Sequence, residues 1–389
     1  MARKRYIILG AGAAGLSLCQ AMLERGVTDE IVVLDRKPTF TDDRTWCFWD
    51  TTGHPYSSLA SSCWHHWEVI GAEGQRATQS LPHGGYVCLR GIDFYAHIME
   101  SIQRHPNVTL KLGCSVGSVT SNAEGVSVSA SGETWDADYV FDSRPRSAQP
   151  GGLSFSQRFF GQFVRAENPV FDPSRCTLMD FRVSQEHGLH FMYVLPFSPT
   201  EALVENTYIQ RANTSSITRD QHQSEISAYV SEQYGPESYA VTREEAGAIP
   251  MTTQSFSKRE GRVFFIGTAG GCSRPSSGYT FTRIQAQCRQ IAEAARLGTL
   301  EDFQETPISS RFRFFDTVFL QALWDNPAAF PDYFARLFSR VPPETLTAFL
   351  SETSVWPSDL HILRSLPLTP FLKAALRAVP LLRTRSGPG

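Results

Sequence analysis

The amino-acid sequence predicts a mixed α/β fold that combines a parallel sheet with helices, an antiparallel sheet and a helical C-terminal region. Three observations lead to this prediction. The chain opens with a buried strand, a glycine-rich turn and a helix; longer strands with partial alternation begin near residue 159; and proline-interrupted helical spacing dominates from residue 301. A chain of 389 residues is long enough for two to three domains of ordinary size.

The bulk composition is that of a globular protein, with 41% hydrophobic and 19% charged residues. The net charge of −3 gives no reason to expect a nucleic-acid partner. None of the eight cysteines lies in a Cys-x-x-Cys pair, so we expect no metal site. With no visible secretory signal and no run of 18 apolar residues, we expect a cytoplasmic protein with free thiols that does not span a membrane.

The N-terminal motif is the first that points to chemistry. Arg5–Leu9 is predicted to be a buried strand, Gly10–Gly15 forms a Gly-x-Gly-x-x-Gly turn, a helix follows to about Arg25, and a second buried strand ends at Asp35. The glycines allow a tight turn, close approach of a pyrophosphate and close packing of the helix, whose N-terminus offers free N–H groups to phosphate. This context predicts a Rossmann-type dinucleotide site, in which Asp35 accepts a hydrogen bond from a ribose hydroxyl. Its candidate residues are Gly10, Gly12, Ala14, Gly15, Asp35 and Arg36.

The chain returns to this site much later. Arg262–Gly267 is predicted to be another buried strand, and a helix is predicted from about Phe281 to Leu297. The dipole of this helix would stabilise negative charge on a reduced flavin, although a crossover without a ligand is the alternative. An N-terminal fingerprint with a late return favours FAD over NAD. We therefore predict an FAD-binding part in residues 1–150, completed by about 243–298, with three further candidate residues at the cofactor: Gly267, Gly278 and Tyr279.

The middle of the chain predicts an antiparallel substrate domain over residues 151–242. Its strands are expected at Phe159–Arg165, Thr177–Val183, Leu189–Leu195 and Ala202–Ile209, with a turn at Pro196–Pro199 and a helix at Thr218–Gln233. Residues 243–250 are interpreted as a segment that leads back to the first domain. Short strands at 108–112, 126–130 and 139–141 are expected to complete the nucleotide-binding sheet.

Residues 299–389 are predicted to form the helical C-terminal region. From Leu360 onward the chain has no acidic residue and five basic ones, Arg364, Lys373, Arg377, Arg383 and Arg385. A basic, apolar tail suits an anionic bilayer surface, which predicts membrane lipid as a partner and peripheral association. The alternative is a packed terminal helix with a solvated basic face.

Several segments together resemble the lycopene β-cyclase family, flavoproteins that close the end rings of carotenoids. Besides the N-terminal fingerprint they are Asp43–Trp49, Leu195–Thr200, Leu203–Ile209, Arg243–Pro250, Arg274–Thr280 and Phe334–Leu363. The resemblance runs through most of the chain. It implies a Rossmann-type FAD-binding domain with an antiparallel-sheet substrate domain and a helical C-terminal region.

The same resemblance implies an isomerase (an intramolecular lyase) that cyclises the linear ends of lycopene, or of a related isoprenoid, to β-ionone-type rings. The products would be γ- and β-carotene, with no net redox change. The active cofactor would be reduced FAD, and NADPH the expected reductant. In the family, the acid after the apolar pair of the Leu203–Ile209 segment is thought to be catalytic, which maps onto Glu205. Asn206 stands where the family usually has a second acid, and Arg274 stands where it has histidine.

Cyclisation needs an acid that can protonate an alkene, a dry cavity and an electron-rich group near the carbocation. A Glu205 carboxyl buried among Val204, Tyr208 and similar residues would have a raised pKa and stay protonated. A reduced, anionic flavin would stabilise the cation, and either the flavin or Glu205 would supply the first proton.

Two further sets of residues can each be interpreted in two ways. Arg44 and Arg90 are candidates for contacts to the cofactor phosphates, with surface roles as the alternative. The aromatic residues Trp46, Phe48 and Trp49 either flank the flavin or the polyene or belong to the core.

Three other functions stay open at this point. The altered residues Asn206 and Arg274 leave room for a cyclase of another prenylated compound, such as a meroterpenoid. A flavin monooxygenase would have a similar layout, but such enzymes usually have Gly-Asp where this chain has Gly267 and Thr268. A non-catalytic carotenoid- or flavin-binding protein is the third.

Overall fold

The computed structural model describes residues 3–146, 151–235 and 239–383, with side chains described as far as residue 379. Its strands are β1 (Arg5–Leu9), β2 (Glu30–Leu34), β3 (Thr45–Asp50), β4 (Ser62–Trp64), β5 (His66–Ile70), β6 (Arg76–Ser80), β7 (Gly85–Arg90), β8 (Val108–Lys111), β9 (Val116–Ser121), β10 (Val126–Ala130), β11 (Glu133–Ala137), β12 (Tyr139–Asp142), β13 (Ser154–Ala166), β14 (Arg175–Asp180), β15 (Leu189–Pro196), β16 (Glu201–Arg211), β17 (Tyr239–Thr252), β18 (Arg259–Glu260) and β19 (Val263–Phe265).

The α-helices are α1 (Ala13–Glu24), α2 (Gly91–Gln103), α3 (Arg219–Tyr234), α4 (Phe281–Leu297), α5 (Ser310–Asp325), α6 (Phe330–Arg340), α7 (Pro343–Leu350), α8 (Trp356–Ser365) and α9 (Leu368–Arg383). Of the basic residues predicted to form the tail, Arg385 and the side chain of Arg383 lie outside the described residues.

The first sheet has the strand order β18-β19-β12-β1-β2-β8, and its neighbours pair in parallel except at the β18 edge. Alternate residues of β1 face opposite sides: Tyr6 and Ile8 pack with the helices α1, α2 and α4, whereas Ile7 and Leu9 pack beneath a small second sheet. Burial on both sides explains why β1 and β2 are apolar without interruption after their first residues, Arg5 and Glu30.

The predicted place of residues 126–130 was wrong. They form β10, which pairs with β9 and β11 in a separate three-stranded antiparallel sheet that covers the parallel one. Val126 and Val128 are buried and Ser129 is exposed, as in a covering sheet with one solvated face.

The large sheet has the order β17-β13-β16-β15-β14-β5-β6, and its pairs are antiparallel except β14 with β5. The four predicted strands and the turn at 196–199 are confirmed, except that β14 ends at Asp180, before the predicted end at Val183. The interpretation of residues 243–250 as a connecting segment was wrong, because they lie within β17, which pairs with β13 along its length. Strands β5 and β6, from the N-terminal part, also join this sheet. The domain boundaries at residues 151 and 242 remain a prediction.

The two faces of the large sheet have different cover. Helices α5 to α9 pack on one face, together with the aromatic side chains of β3, β4 and β7. Helix α3 packs on the other, against Phe160, Met192 and Val204 among others. Thr218 caps α3 by accepting the N–H of Gln221 at 3.2 Å, which satisfies one of the free donors at the start of the helix. None of the helices in the described part of the chain is long and apolar enough to cross a membrane.

Candidate functional site

The N-terminal glycine turn has the shape of a dinucleotide cradle. Gly10 has a φ of +99°, a conformation that a side chain disfavours. Gly15 packs directly on the carbonyl group of Gly10, where a Cβ would collide. By contrast, a Cβ on Gly12 would meet no described atom within 4 Å, so open space lies above the turn at the start of α1. This space and the helix N-terminus suit a pyrophosphate.

Asp35, which directly follows β2, stabilises this turn. Its carboxylate accepts the N–H of Ala11 at 2.6 Å and the N–H of Lys37 at 2.7 Å. Both bonds fix the loop geometry and leave further lone pairs for a ribose hydroxyl, which remains a prediction. Arg36 is exposed, whereas Lys37, which the sequence analysis did not single out, lines the cavity and pairs with Asp43 at 2.6 Å.

The late return of the chain to the parallel sheet is confirmed. β19 lies beside β12, and α4 begins and ends at the predicted residues. Gly267, with a φ of +64°, lies so close to α1 that a Cβ would approach the Cβ of Ala14 to 2.7 Å. The glycine is therefore needed for the two segments to meet. Phe281, at the N-terminus of α4, lines the same cavity as Gly12.

One cavity of about 560 Å³ joins the dinucleotide turn to the large sheet and the helical region. Of the predicted site residues it is lined by Gly12, Ala14, Arg44, Glu205, Gly278 and Tyr279. At the far end its walls are aromatic and aliphatic side chains of the sheet and helices: Phe159, Leu178, Phe191, Leu203, Phe315, Phe319, Phe334, Phe349 and Phe371. This arm is suited to an apolar ligand.

The two predicted phosphate-binding arginines differ in their contacts. Arg44 is exposed, lines the cavity and donates to the carbonyl groups of Asp43 at 2.8 Å and Ala246 at 3.1 Å. Arg90 forms an ion pair with Asp42, to which its Nε donates at 2.9 Å. Arg90 is thus held by a carboxylate that also pairs with Arg243, whereas Arg44 contacts uncharged carbonyl groups beside the cavity.

The three aromatic residues after Arg44 fall into two groups. Trp46 lines the cavity and stacks on Phe281, with ring centroids 5.5 Å apart. Phe48 and Trp49 are buried in the core; Phe48 stacks on the same Phe281 ring, and Trp49 packs edge-on against Trp67. Trp46 is therefore the one of these three that can touch a ligand in the cavity.

Glu205 lies in the middle of β16 and is 9% exposed. Because strand side chains alternate, Leu203 and Ile209 face the cavity with it, whereas Val204 and Tyr208 face α3. The expectation that Val204 and Tyr208 surround the carboxyl was therefore wrong. The pKa of Glu205 is raised to about 8, chiefly by burial and also by the nearby Glu245 carboxyl, while a hydrogen bond from Thr207 at 2.9 Å opposes the rise.

A second buried carboxyl group, Glu245, lines the same cavity and escaped the sequence analysis. It accepts the hydroxyl of Thr45 at 2.7 Å and lies 3.5 Å from the Arg243 guanidinium. Burial raises its pKa, and these two partners oppose that shift. The signal that could have revealed it is the strand period: Glu245 and Gly247 fall on one face of β17, and both line the cavity.

The two departures from the family pattern lie outside the cavity lining. Asn206 is fully buried on the α3 face and donates to Glu225 at 2.6 Å. Arg274 is buried as well; its Nε donates to Asp316 at 3.0 Å, and its Nη1 donates to the carbonyl groups of Phe349 and Leu350. Arg274 therefore fastens the loop before α4 to helices α5 and α7.

Comparison with known sequences gives a consistent result. A family model described as lycopene cyclase protein matches residues 6–376. A lycopene beta-cyclase from Pantoea ananas is 27% identical over 360 residues, which cover 91% of this chain and 88% of that protein. A lycopene beta-cyclase from Pseudescherichia vulneris is 25% identical over 306 residues, which cover 77% and 76%.

Solved structures show the same fold at low sequence identity. A geranylgeranyl bacteriochlorophyll reductase-like protein from Thermoplasma acidophilum matches with a TM-score of 0.60 at 10% identity, covering 98% of this chain and 99% of that one. HpxO of Klebsiella pneumoniae, crystallised with FAD and uric acid, matches with a TM-score of 0.65 at 13% identity, covering 94% and 98%. The predicted fold class, a Rossmann-type flavoprotein fold with a helical C-terminal region, is confirmed.

Proposed function

Since the chain belongs to the lycopene cyclase family, we propose that it cyclises the linear ends of lycopene to β-ionone-type rings without net redox change. The observation that supports this most directly is the buried Glu205 carboxyl in an apolar cavity. With a pKa of about 8, this group keeps its proton at neutral pH and can act as an acid. The enzyme would thus be an intramolecular lyase, in the isomerase class.

FAD suits the dinucleotide end of the cavity. The open space above Gly12 and the start of α1 would take the pyrophosphate, and Asp35 and Arg44 remain the proposed partners of the ribose and the phosphates. Bound FAD, reduced by NADPH, would supply negative charge that stabilises the carbocation. Gly12→Val would place a side chain in that space, so we expect loss of flavin from an otherwise folded protein.

The chain's own residues account for the remaining steps. Glu205 would donate its proton to the terminal alkene, the next double bond would attack the resulting cation, and loss of a neighbouring proton would complete the ring. Phe, Leu and Met side chains around the cavity keep water from capturing the cation. Aromatic faces such as those of Phe159 and Phe191 also favour a nearby positive charge.

The decisive experiment is anaerobic incubation of the purified protein with lycopene, FAD and either NADPH or dithionite. We expect a cyclic product with the mass of lycopene. A product that is heavier by one oxygen would indicate a monooxygenase, and bound but unchanged lycopene would indicate a binding protein. Equal turnover by the oxidised enzyme under air would contradict the role of reduced flavin.

Helix α9 supports peripheral membrane association of a cytoplasmic protein. Leu368, Leu372 and Leu376 lie four residues apart and are exposed, and Lys373 and Arg377 lie beside them. Such a stripe with basic neighbours suits an anionic bilayer surface. The cavity reaches the same region, since it is lined by Leu363 of α8, Leu366 of the connection that follows and Phe371 of α9.

Flotation with anionic and neutral liposomes tests this association. We expect the protein to float with anionic vesicles and the double variant Leu372→Glu, Leu376→Glu to remain at the bottom. Leu297→Glu is the matched control, because Leu297 is an exposed leucine at the end of α4. Failure of the wild type to float with either vesicle would contradict the proposal.

A further inference from the structure

We propose that Glu245 is a second catalytic carboxyl group, which accepts the proton that ring closure releases while Glu205 donates the proton that starts it. This inference rests on the proposed cyclisation and assigns a residue to its last step. The family pattern stated above points to Glu205 alone, whereas the sheet register and the contacts of β17 point to Glu245.

The register places the two carboxyl groups on either side of a glycine. Gly161 of β13 pairs with Glu205 of β16 on one side and with Glu245 of β17 on the other. Directly paired residues of neighbouring strands point to the same face, so both side chains face the cavity that both line. Strands lie roughly 4.8 Å apart, which makes the backbone separation of the two glutamates about 10 Å.

The missing side chain at Gly161 lets the neighbouring side chains close over the strand that lies between the two glutamates. A Cβ at this position would lie 3.4 Å from the Cγ of Glu245, 3.5 Å from the Cβ of Glu205 and 2.8 Å from a methyl group of Leu203. A hydrocarbon end that lies in the cavity against these side chains can meet both carboxyl groups. One group can therefore add a proton and the other can remove one without a large movement of the substrate.

The surroundings of the two carboxyl groups suit Glu245 to accept a proton and Glu205 to donate one. Glu245 is held by donors and cations, with the Thr45 hydroxyl and Arg243 in contact and Arg44 nearby. The other titratable groups around it are Asp42, which pairs with Arg243, and the Cys47 thiol. Glu205 accepts from the neutral Thr207 hydroxyl and has the Glu245 carboxyl as its charged neighbour. Burial raises the pKa of both groups, but Thr45 and the cations oppose that rise at Glu245, whereas the Glu245 carboxyl adds to it at Glu205. Of the two, Glu245 is therefore the group better suited to accept a proton.

The proposed step balances without an oxidant or a reductant. The proton of Glu205 forms a C–H bond at the terminal alkene, and the electron pair of the next double bond forms the ring C–C bond. The C–H bond beside the new cation then breaks, its electrons form the ring double bond, and its proton goes to the Glu245 carboxylate. After product release, one proton moves from Glu245 to Glu205 and restores the starting state.

The test uses the full-length enzyme with FAD under reducing conditions. For Glu245→Gln we expect kcat to fall roughly 10²-fold, the usual contribution of a positioned base, with KM and flavin content near those of the wild type. Glu244→Gln is the matched control on the same strand, because Glu244 faces away and accepts from Gln162 and Gln223. We expect its kcat to stay within about twofold, since surface changes rarely alter the cavity.

A variant of Thr45, which donates a hydrogen bond to Glu245, distinguishes a catalytic role of Glu245 from a structural one. If Glu245 serves only to hold Thr45, Glu245→Gln keeps a hydrogen-bond acceptor and Thr45→Val causes the larger loss, which would overturn the inference. If Glu245 is the base, Glu245→Gln causes the larger loss. Wild-type turnover by Glu245→Gln alongside an active wild type would refute the inference and leave the proposed function intact.

An infrared titration tests the pair independently of any substrate. The carbonyl band of a protonated, buried carboxyl that disappears in Glu205→Gln should titrate near pH 8 in the wild type. In Glu245→Gln the same band should titrate at a lower pH, because the neighbouring negative charge is gone. An unchanged midpoint would show that the two groups do not interact and would overturn the paired mechanism even in a protein that does not cyclise lycopene.

Discussion

The two faces of the large sheet hold carboxyl groups in opposite electrostatic situations. On the cavity face, burial raises the pKa of Glu205, whose hydrogen-bond donor is the hydroxyl of Thr207. On the α3 face, Glu225 accepts from Asn206, Tyr208 and Gln221, and these bonds hold its pKa below the usual value against the effect of burial.

Strand β16 supplies residues to both faces, because successive side chains point in opposite directions. Glu205 faces the cavity, and its immediate neighbour Asn206 supports Glu225 beneath α3. One strand can therefore hold a buried acid against the cavity on one face and a supporting hydrogen-bond donor on the other. A departure from the family pattern at Asn206 therefore alters the supporting face and leaves the cavity wall unchanged.

The largest expected effect is on the cavity face. Glu205→Gln keeps the size of the side chain but has no acidic proton, so we expect kcat for cyclisation to fall by roughly 10² or more. For Glu205→Asp we expect a kcat between those of the wild type and Glu205→Gln, since the shorter side chain moves the carboxyl away from the substrate. Steady-state turnover under reducing conditions, with flavin content measured by absorbance, checks this.

The control for Glu205 lies on the same strand. Glu201 is partly exposed and pairs with Arg165 at 2.7 Å, so Glu201→Gln should leave turnover nearly unchanged. If Glu201→Gln lost activity and Glu205→Gln kept it, the wrong carboxyl group would have been chosen. If neither variant lost activity, another acid would supply the proton.

A smaller effect is expected from pH. With a pKa of about 8, Glu205 is mostly ionised at pH 9, so turnover should be about tenfold lower there than on the plateau near pH 7.

The folded chain binds the proton of Glu205 more tightly than the unfolded chain does. The contribution of Glu205 to the free energy of unfolding therefore falls as the pH rises from the ordinary glutamic acid range to about 8, and it is level above that. Urea unfolding of wild type and Glu205→Gln at pH 5, 7 and 9 measures this; identical slopes in both proteins would contradict the assignment.

The smallest effect belongs to the α3 face. Tyr208→Phe removes the hydrogen bond to Glu225 at 2.8 Å and keeps the ring that stacks on His190. We expect a loss of about 1 kcal/mol in the free energy of unfolding, with turnover per folded molecule within about twofold. A large loss of turnover at unchanged stability would break the distinction between the two faces.

Local signals allowed much of the dinucleotide end to be predicted. The strand, glycine turn and helix at the N-terminus follow from neighbouring residues, and α4 ends where Gly298 takes a left-handed conformation. Glu205 was predicted through the resemblance to the family. Glu245 was missed because its strand contains Ala246, Gly247, Ala248 and Pro250, which have low strand propensity, and is held by pairing with distant β13. The alternation of side chains shows that Tyr208 and Glu205 lie on opposite faces of β16. Which of these faces is covered by α3 and which lines the cavity is decided by tertiary packing.

Arg274 connects the two ends of the cavity. The loop that contains it leads into α4, whose first residues line the dinucleotide end, while its guanidinium grips Asp316 and the final carbonyl groups of α7 above the hydrocarbon end. By thermodynamic linkage, a ligand that ordered one end through this loop would also restrain the other. In an enzyme that must exclude water only while a carbocation exists, such linkage would make the tightness of the hydrocarbon chamber depend on whether the nucleotide end is filled.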